Sequence, residues 1–354
     1  MRIKVHGADL SSAMRVIKKC INPKFQNFAN VEITHKDNVL SLRGTNGTFS
    51  ASASIPLLGG DGESFCVDGD MFARICAMNN REVELSTEGK SCVIRGSGRT
   101  RLPVLEHHVP ETSDVKGKQV RINAGEFARC CEQVKHAIAT DETRLILTGA
   151  LVETDGSRMS MTTIDGFKLA IESAECTGDS VRIVIPGAFI TLVSSAVDGG
   201  EQLTLATDGH VLAAETDFMK MKCGLLSGDY PDVSILMPAS FSTECLVRKD
   251  DVLKAIKSGN AIMSGREPLV KFAVGTDVIR VTNNSETADY EADVECSTTG
   301  NPLTIAFNSE YLEKSLSSMV QEEVVLHMNT ASGAMVITGR EGDGKRLILP
   351  VRTR

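Results

Sequence analysis

One turn recurs at a fixed interval along this chain of 354 residues. Around Asp165-Gly166, in SMTTIDGFKLAI (160–171), Met161 and, just before the segment, Met159 alternate with polar neighbours, as a half-buried strand does. Asp-Gly supplies the positive φ that a two-residue hairpin turn needs. The same punctuation stands at Asn46-Gly47, in LSLRGTNGTFSASASI, and at Asn284-Ser285, in IRVTNNSETADYEADV. The intervals are 166 − 47 = 119 and 285 − 166 = 119. A chain with that period is constrained to repeat one structural plan three times.

The second half of each repeat keeps the same spacing, with 185 − 67 = 118 between Val67 and Ile185 and 307 − 185 = 122 between Ile185 and Phe307. Each repeat reads strand, helix, strands, strand, helix, strands. Apolar stripes at helical spacing predict helices over 8–20, 70–78, 124–137, 250–258 and 309–319. A further helix is predicted to open at Pro186, a favoured first helical position, and to stop at Asp198-Gly199-Gly200. The final strand is predicted over 346–351. Polar, Pro-containing runs at 107–118 and 238–243 mark linkers. The fold class that follows is α+β, with domains 1–117, 118–242 and 243–354. Each carries two helices packed on antiparallel sheets.

The chain contains no Trp and only 4% aromatic residues, so its cores are built from aliphatic side chains and Met. Ten cysteines occur without a CxxC, which suits reduced, buried thiols in a cytosolic protein rather than a disulfide frame or zinc site. The opening MRIKVHGADL reads as a strand and lacks the apolar run of a signal peptide. No window has the uncharged apolar length of a membrane span. Chemistry is hard to assemble. GSGRT (96–100) and EGDGK (341–345) lie between strands and read as turns, not as Walker A or dinucleotide-binding loops. The pair His107-His108 lies in a linker, and adjacent side chains on an extended segment point apart. No catalytic residue, metal site or cofactor is expected.

Charge gives the remaining signal. The net charge is −8, which opposes broad adhesion to nucleic acid. Yet Arg15, Lys18 and Lys19 share one helix face, and the helices of the other repeats carry Arg74, Arg129, His136, Lys254, Lys257 and Lys314. An acidic protein with basic helix faces can hold nucleic acid through phosphates alone. The alternative class is a β-rich adaptor that assembles protein partners without DNA.

Several segments carry a resemblance. They are ATDETRLILTGALVET (139–154), TIDGFKLA (163–170), VIPGAFITLV (184–193), SGDYPD (227–232), IAFNSEYL (305–312) and LILPVR (347–352). With VLSLRGTNG and RGSGRTRLPVL in the first repeat, the whole chain resembles the bacterial DNA polymerase III beta subunits, the sliding-clamp family. The resemblance implies a head-to-tail homodimeric ring around double-stranded DNA, held without sequence preference and without catalysis. It implies as partners the DNA polymerase III catalytic subunit, an ATP-driven clamp loader and other proteins with clamp-binding peptides. It places the peptide pocket at Leu147, Ile164, Gly166, Phe167, Lys168, Leu169, Pro231, Leu236, Asn308, Tyr311 and Ser332. The C-terminal strand adds Leu347, Ile348, Leu349, Pro350, Val351 and Arg352. Phe167 stands where the family commonly has His, and Ile235 where it commonly has Arg. The same resemblance turns Arg15, Lys18, Lys19, Arg74, Arg129, Lys254, Lys257 and Lys314 toward DNA, with Lys24 and Arg144 on loops at the rim. It assigns Leu102, Val104, Ile262 and Met263 to the dimer interface.

Overall fold

A computed structural model describes residues 2–61, 64–106, 109–110, 113–263 and 268–352. The His107-His108 pair and the terminal Thr353-Arg354 lie outside them. The chain divides into two compact units. One comprises Met1–Ala128, Cys176–Val181 and Ala188–Leu225; the other comprises Arg129–Glu175, Arg182–Gly187 and Leu226–Arg354.

In the first unit Arg2–His6 pairs antiparallel with Gly59–Asp61 and Glu82–Glu88, and that sheet continues through Ser91–Arg95 to Arg99–Pro103. Helix α1 (Gly7–Ile17) buries Leu10, Met14 and Ile17, and α2 (Gly69–Ala77) buries Phe72 and Cys76. A second sheet runs Phe65–Asp68, Asn30–Lys36, Val39–Thr45, Phe49–Pro56. It does not stop there. Phe49–Ala53 pairs with Met219–Cys223. The sheet then continues through Val211–Glu215, Gln202–Thr207 and Lys118–Asn123. Helix α3 (Ala124–Val134) follows Lys118–Asn123, and α4 spans Gly187–Ser194.

The second unit repeats this continuation. Gly149–Thr154, Arg158–Ile164 and the start of Lys168–Gly178 form a meander. Lys168–Ile171 then pairs with Lys345–Ile348, which leads through Met335–Gly339 and Glu323–Met328 to Thr243–Arg248. Another sheet joins Leu303–Asn308, Leu269–Val274, Val278–Asn284 and Asp289–Gly300. Helices α5 (Lys249–Asn260) and α6 (Ser309–Ser317) cover a core that includes Ile256, Phe272, Phe307, Leu312, Leu316 and Ile348.

Four expectations shift. The first two hairpin turns centre one residue later than read, and the third two residues later. Asp165 N donates to Lys168 O, so the central pair is Gly166-Phe167, with Gly166 at φ +94°. Asp165 Oδ1 accepts from the amides of Phe167 and Lys168, both at 2.9 Å. Asn46 does the same for Thr48 and Phe49, with Gly47 at φ +88°. The Asx residue is therefore the hydrogen-bonding partner and the Gly the conformational one. In the third repeat Ser285 N donates to Ala288 O and the centre is Glu286-Thr287, so the second interval is 286 − 166 = 120. Pro186 ends the strand Val181–Pro186 rather than opening α4. That helix stops at Ser194, short of Asp198, because the amides of Ala196 and Val197 both turn onto Val193 O. The last strand ends at Ile348. Pro350 has no amide to extend the ladder, and Leu349 N and Val351 N go instead to Phe167 O and Ala306 O.

Within the second unit a charge is fully enclosed. Arg346, on Lys345–Ile348, has no exposed surface. Its guanidinium donates to Glu172 Oε1 at 2.8 Å, Ser318 Oγ at 2.8 Å, Ile171 O at 3.2 Å and Gln133 Oε1 at 3.3 Å. Glu172 Oε2 accepts from Arg129 at 3.0 Å. A Cβ on Gly344 would lie 2.3 Å from Glu172 Oε1, so the carboxylate occupies space that only glycine leaves. Burial pulls the Arg346 pKa down, and Glu172 opposes that shift. Removing one partner leaves the other charged and enclosed, which costs about 3–5 kcal/mol. Arg346→Met should therefore lower the guanidinium-chloride midpoint by that equivalent. Arg346→Met combined with Glu172→Met should be less destabilised than Arg346→Met alone, and equal or greater loss in the double variant would contradict an ionic seam.

Candidate peptide groove and basic helix faces

Two small apolar clusters meet in the second unit. Leu147, Leu151, Val184 and Tyr230 form one, with Ile146, Ile164 and Leu226 against it. Leu169, Val336 and Leu347 form the other, with Ile164, Ile171, Val233, Met237 and Phe241 against it. Ile164 belongs to both margins. Leu169 and Leu347 are direct cross-strand partners. Leu147 is delivered by a 3-10 segment, Glu142–Thr148, kinked at Arg144 (φ −125°, ψ 78°) and capped by Asp141 through Thr143 N. These residues are floor. The rim is different: Phe167, Leu236, Leu349 and Val351 are 57%, 42%, 44% and 40% exposed. Of the five leucines expected to line an opening, Leu147, Leu169 and Leu347 are thus buried core, and Leu236 and Leu349 face out.

The polar members have structural partners. The Lys168 side chain is buried; its ammonium pairs with the Asp165 carboxylate and lies 4.8 Å from the centre of the Tyr311 ring. Phe167 packs on the same tyrosine, with ring centroids 5.7 Å apart. Asn308 caps α6, its Oδ1 accepting from Glu310 N at 3.0 Å and Tyr311 N at 3.3 Å. Ile348 is buried, Pro350 half-buried, and Gly166, Pro231, Ser332 and Arg352 are exposed. Sequence reading missed Val233, Met237 and Phe241 as supports. Met237 and Phe241 flank or lie within a run read as linker, where no periodicity marks a buried face. The result is an apolar surface over a buried floor, with its cation already paired. It can hold an extended apolar segment; it offers no converging acid and base.

On the helices the cations divide into committed and free. Lys18 and Arg74 both pair with Asp70, at 2.7 and 2.6 Å. The Lys18 hydrogen bond, aided by the Arg74 charge, holds the Asp70 carboxyl below its usual range. Lys19 donates to Ser195 Oγ at 2.8 Å. Arg129 is held by Glu172 and Ser173 O, and Lys314 lies 3.8 Å from Glu310. Among the described residues, Arg15, Lys24, Arg144, Lys254 and Lys257 make no ion pair and are exposed. The residues assigned to a dimer interface also separate. Leu102 is buried under its own sheet, while Val104, Ile262 and Met263 are half-buried. Val104 N donates to Lys90 O. No group of three or more His, Cys, Asp or Glu among the described residues is arranged to hold a metal ion. No helix among them is long and apolar enough to cross a membrane.

Known proteins resemble the chain throughout. The family model for the DNA polymerase III beta subunit central domain matches residues 121–232, and the model for its C-terminal domain matches residues 234–352. The beta sliding clamp of Streptomyces coelicolor is 25% identical, over 99% of both chains. That of Bacillus subtilis is 26% identical, over 91% of both. Among solved structures, the DNA polymerase III beta subunit of Thermotoga maritima superposes with a TM-score of 0.91 at 21% identity, covering 100% of both chains. The Bacillus subtilis sliding clamp gives 0.89 at 24% identity with the same coverage. The two matched regions take in well over half of the sequence, and the chain belongs to the DNA polymerase III beta subunit family, the beta sliding clamps.

Proposed function

We propose that two copies of this chain, each of three domains at 1–117, 118–242 and 243–354, close head to tail around duplex DNA. In this reading the groove over Leu169 and Leu347 tethers the polymerase III catalytic subunit and other proteins through short peptides. The ring acts by topology, not catalysis. DNA held inside it cannot leave sideways, yet slides because phosphate contacts carry no sequence information. A loader driven by ATP opens it, in the cytoplasm. Tethering raises a partner's effective concentration at its substrate.

The observation that carries the reading is a pattern of strand edges. The strand after each hairpin turn meets the last strand of the next repeat. Phe49–Ala53 takes Met219–Cys223, and Lys168–Ile171 takes Lys345–Ile348. The third repeat offers the equivalent edge at Asp289–Ala292, which among the described residues pairs only with Val281–Asn284, apart from neighbours farther along the strand. Among the described residues, the last strand of the first repeat, Arg99–Pro103, pairs only with Ser91–Arg95. Unpaired edges are templates for another chain. Joining these two between copies makes a heterologous contact that closes after two protomers. Ile262 and Met263 flank that joint, as does Val104; Leu102 supports it from beneath.

Three outcomes follow. Ile262→Ala with Met263→Ala should shift sedimentation from dimer toward monomer at nanomolar concentration; an intact dimer there would remove these residues from the interface. Lys254→Ala and Lys257→Ala should each reduce the slope of log affinity against log salt by at most about 0.9, equally for all DNA sequences. Unequal effects between sequences would contradict pure phosphate contact. Removing residues 349–354 should abolish binding of an apolar partner peptide, since burying one Leu or Phe there contributes about 1.5–3 kcal/mol. Retention on circular DNA, read by gel filtration, should survive. Unchanged peptide affinity after truncation would show that the groove lies elsewhere.

A further inference from the structure

A braced loop in the first unit presents Phe25 to solvent. Between the 3-10 turn Lys18–Cys20 and the strand Asn30–Lys36 the chain reads INPKFQNFA (21–29). Asn22 N donates to Phe28 O at 2.7 Å and closes the loop at its neck. Within it, Phe25 N donates to Asn22 O at 3.1 Å and Phe25 O accepts from Phe28 N at 2.8 Å. Asn22 Oδ1 accepts from Lys24 N at 3.1 Å. Phe28 anchors the loop on the first hairpin turn, where a Cβ on Gly47 would lie 3.0 Å from Phe28 Cζ. Phe25, by contrast, is 60% exposed. Its backbone is held at both its amide and its carbonyl, so a partner that meets the ring has little ordering of the loop to impose.

The surroundings of that ring are cationic. No acidic residue occurs between Asp9 and Glu32, whereas Arg15, Lys18, Lys19 and Lys24 all do, in a chain of net charge −8. Lys18 is paired with Asp70, and Lys19 keeps its charge while donating to Ser195 Oγ. Arg15 and Lys24 are exposed and make no ion pair among the described residues. The 3-10 turn that carries Lys18 and Lys19 leads directly into the loop.

A fixed, exposed aromatic ring beside cations is the pairing that holds single-stranded nucleic acid. The cations take phosphates and the ring takes the flat face of a base, whatever the base is. Paired bases inside a duplex have both faces covered by their neighbours, so only an unpaired base can offer one. The same charge disfavours an apolar peptide less than it favours a polyanion, and therefore selects the strand.

We propose that Phe25 stacks on an unpaired base of a single DNA strand whose phosphates lie against Lys24 and its neighbouring cations. The first unit then holds single-stranded DNA through a base as well as through charge. The inference does not rest on ring closure or on the peptide groove, since a linear strand needs neither.

The test uses the full-length protein at one salt concentration. The probes are a short thymidine oligonucleotide and an abasic strand of equal length, which carries the same phosphates without bases. The thymidine strand should bind at least about fivefold more tightly than the abasic strand. Phe25→Leu, which keeps an apolar side chain and removes the ring, should abolish that preference and leave the affinity for the abasic strand unchanged. Phe25→Trp should retain the preference. It also introduces the only indole in the chain, whose emission the thymidine strand should quench and the abasic strand should not. Equal binding of the two strands by the unaltered protein, no binding of either, a preference that survives Phe25→Leu, or an indole that responds alike to both strands overturns the proposal. The unaltered protein and Phe25→Trp decide the matter even if Phe25→Leu fails to fold. Sedimentation of the same samples reports the dimer separately, so failure of the ring and failure of the stacking contact are told apart.

Discussion

The antiparallel pairing of Lys168–Ile171 with Lys345–Ile348 is the joint on which the second unit depends. It puts Leu169 against Leu347 and so creates the floor of the groove. It also carries Arg346 into the interior, where Glu172, Gln133 and Ser318 surround it. A buried ion pair adds little net stability over well-packed apolar side chains, but it penalises any register in which the partners miss each other. A one-residue slip would turn Arg346 to the opposite face and take Leu347 out of the floor. The hydrogen bonds from Leu349 to Phe167 and from Val351 to Ala306 then hold the chain beyond the strand.

Much of this plan could be read from residue order. The interval between turns revealed the threefold repeat, because hairpin turns demand Asx and Gly at fixed positions and leave a mark that drift in the core does not erase. The mark faded where Glu286-Thr287 replaced the glycine-containing pair, and there the turn was placed two residues too early, against one at the other turns. The ends of α4 and of the last strand were misplaced for a related reason. Both depend on where individual amides find acceptors, on Val193 O in one case and on Phe167 O and Ala306 O in the other. Composition does not encode those choices. The site showed the same division. Resemblance supplied the residues of the candidate groove but could not separate buried from exposed members, since burial of Leu169 and exposure of Leu349 follow from tertiary packing. Nothing in the local sequence around Glu172 or Arg346 announced that each would find the other across 346 − 172 = 174 residues.

The charge distribution reconciles an acidic protein with a polyanionic partner. A net charge of −8 repels DNA at long range. On the helices, however, Asp70 and Glu310 align some cations and partly offset them, while Arg15, Lys254 and Lys257 keep their full charge. In the proposed reading, helix faces of this kind would favour many weak, exchangeable phosphate contacts over a few strong ones, as movement along DNA requires. Arg129 shows the limit of assigning function by position on a helix: it is also the outer member of the ionic seam.

The aromatic pair at the groove has an optical consequence. The chain contains no tryptophan and three tyrosines. Tyr311 is one of them, packed against exposed Phe167 at the rim. A tryptophan carried by a bound peptide would be the sole indole in the complex, excitable at wavelengths where the protein itself is dark. If the groove takes a peptide as proposed, its occupancy can thus be followed by emission alone, with no label on the protein and no residue altered.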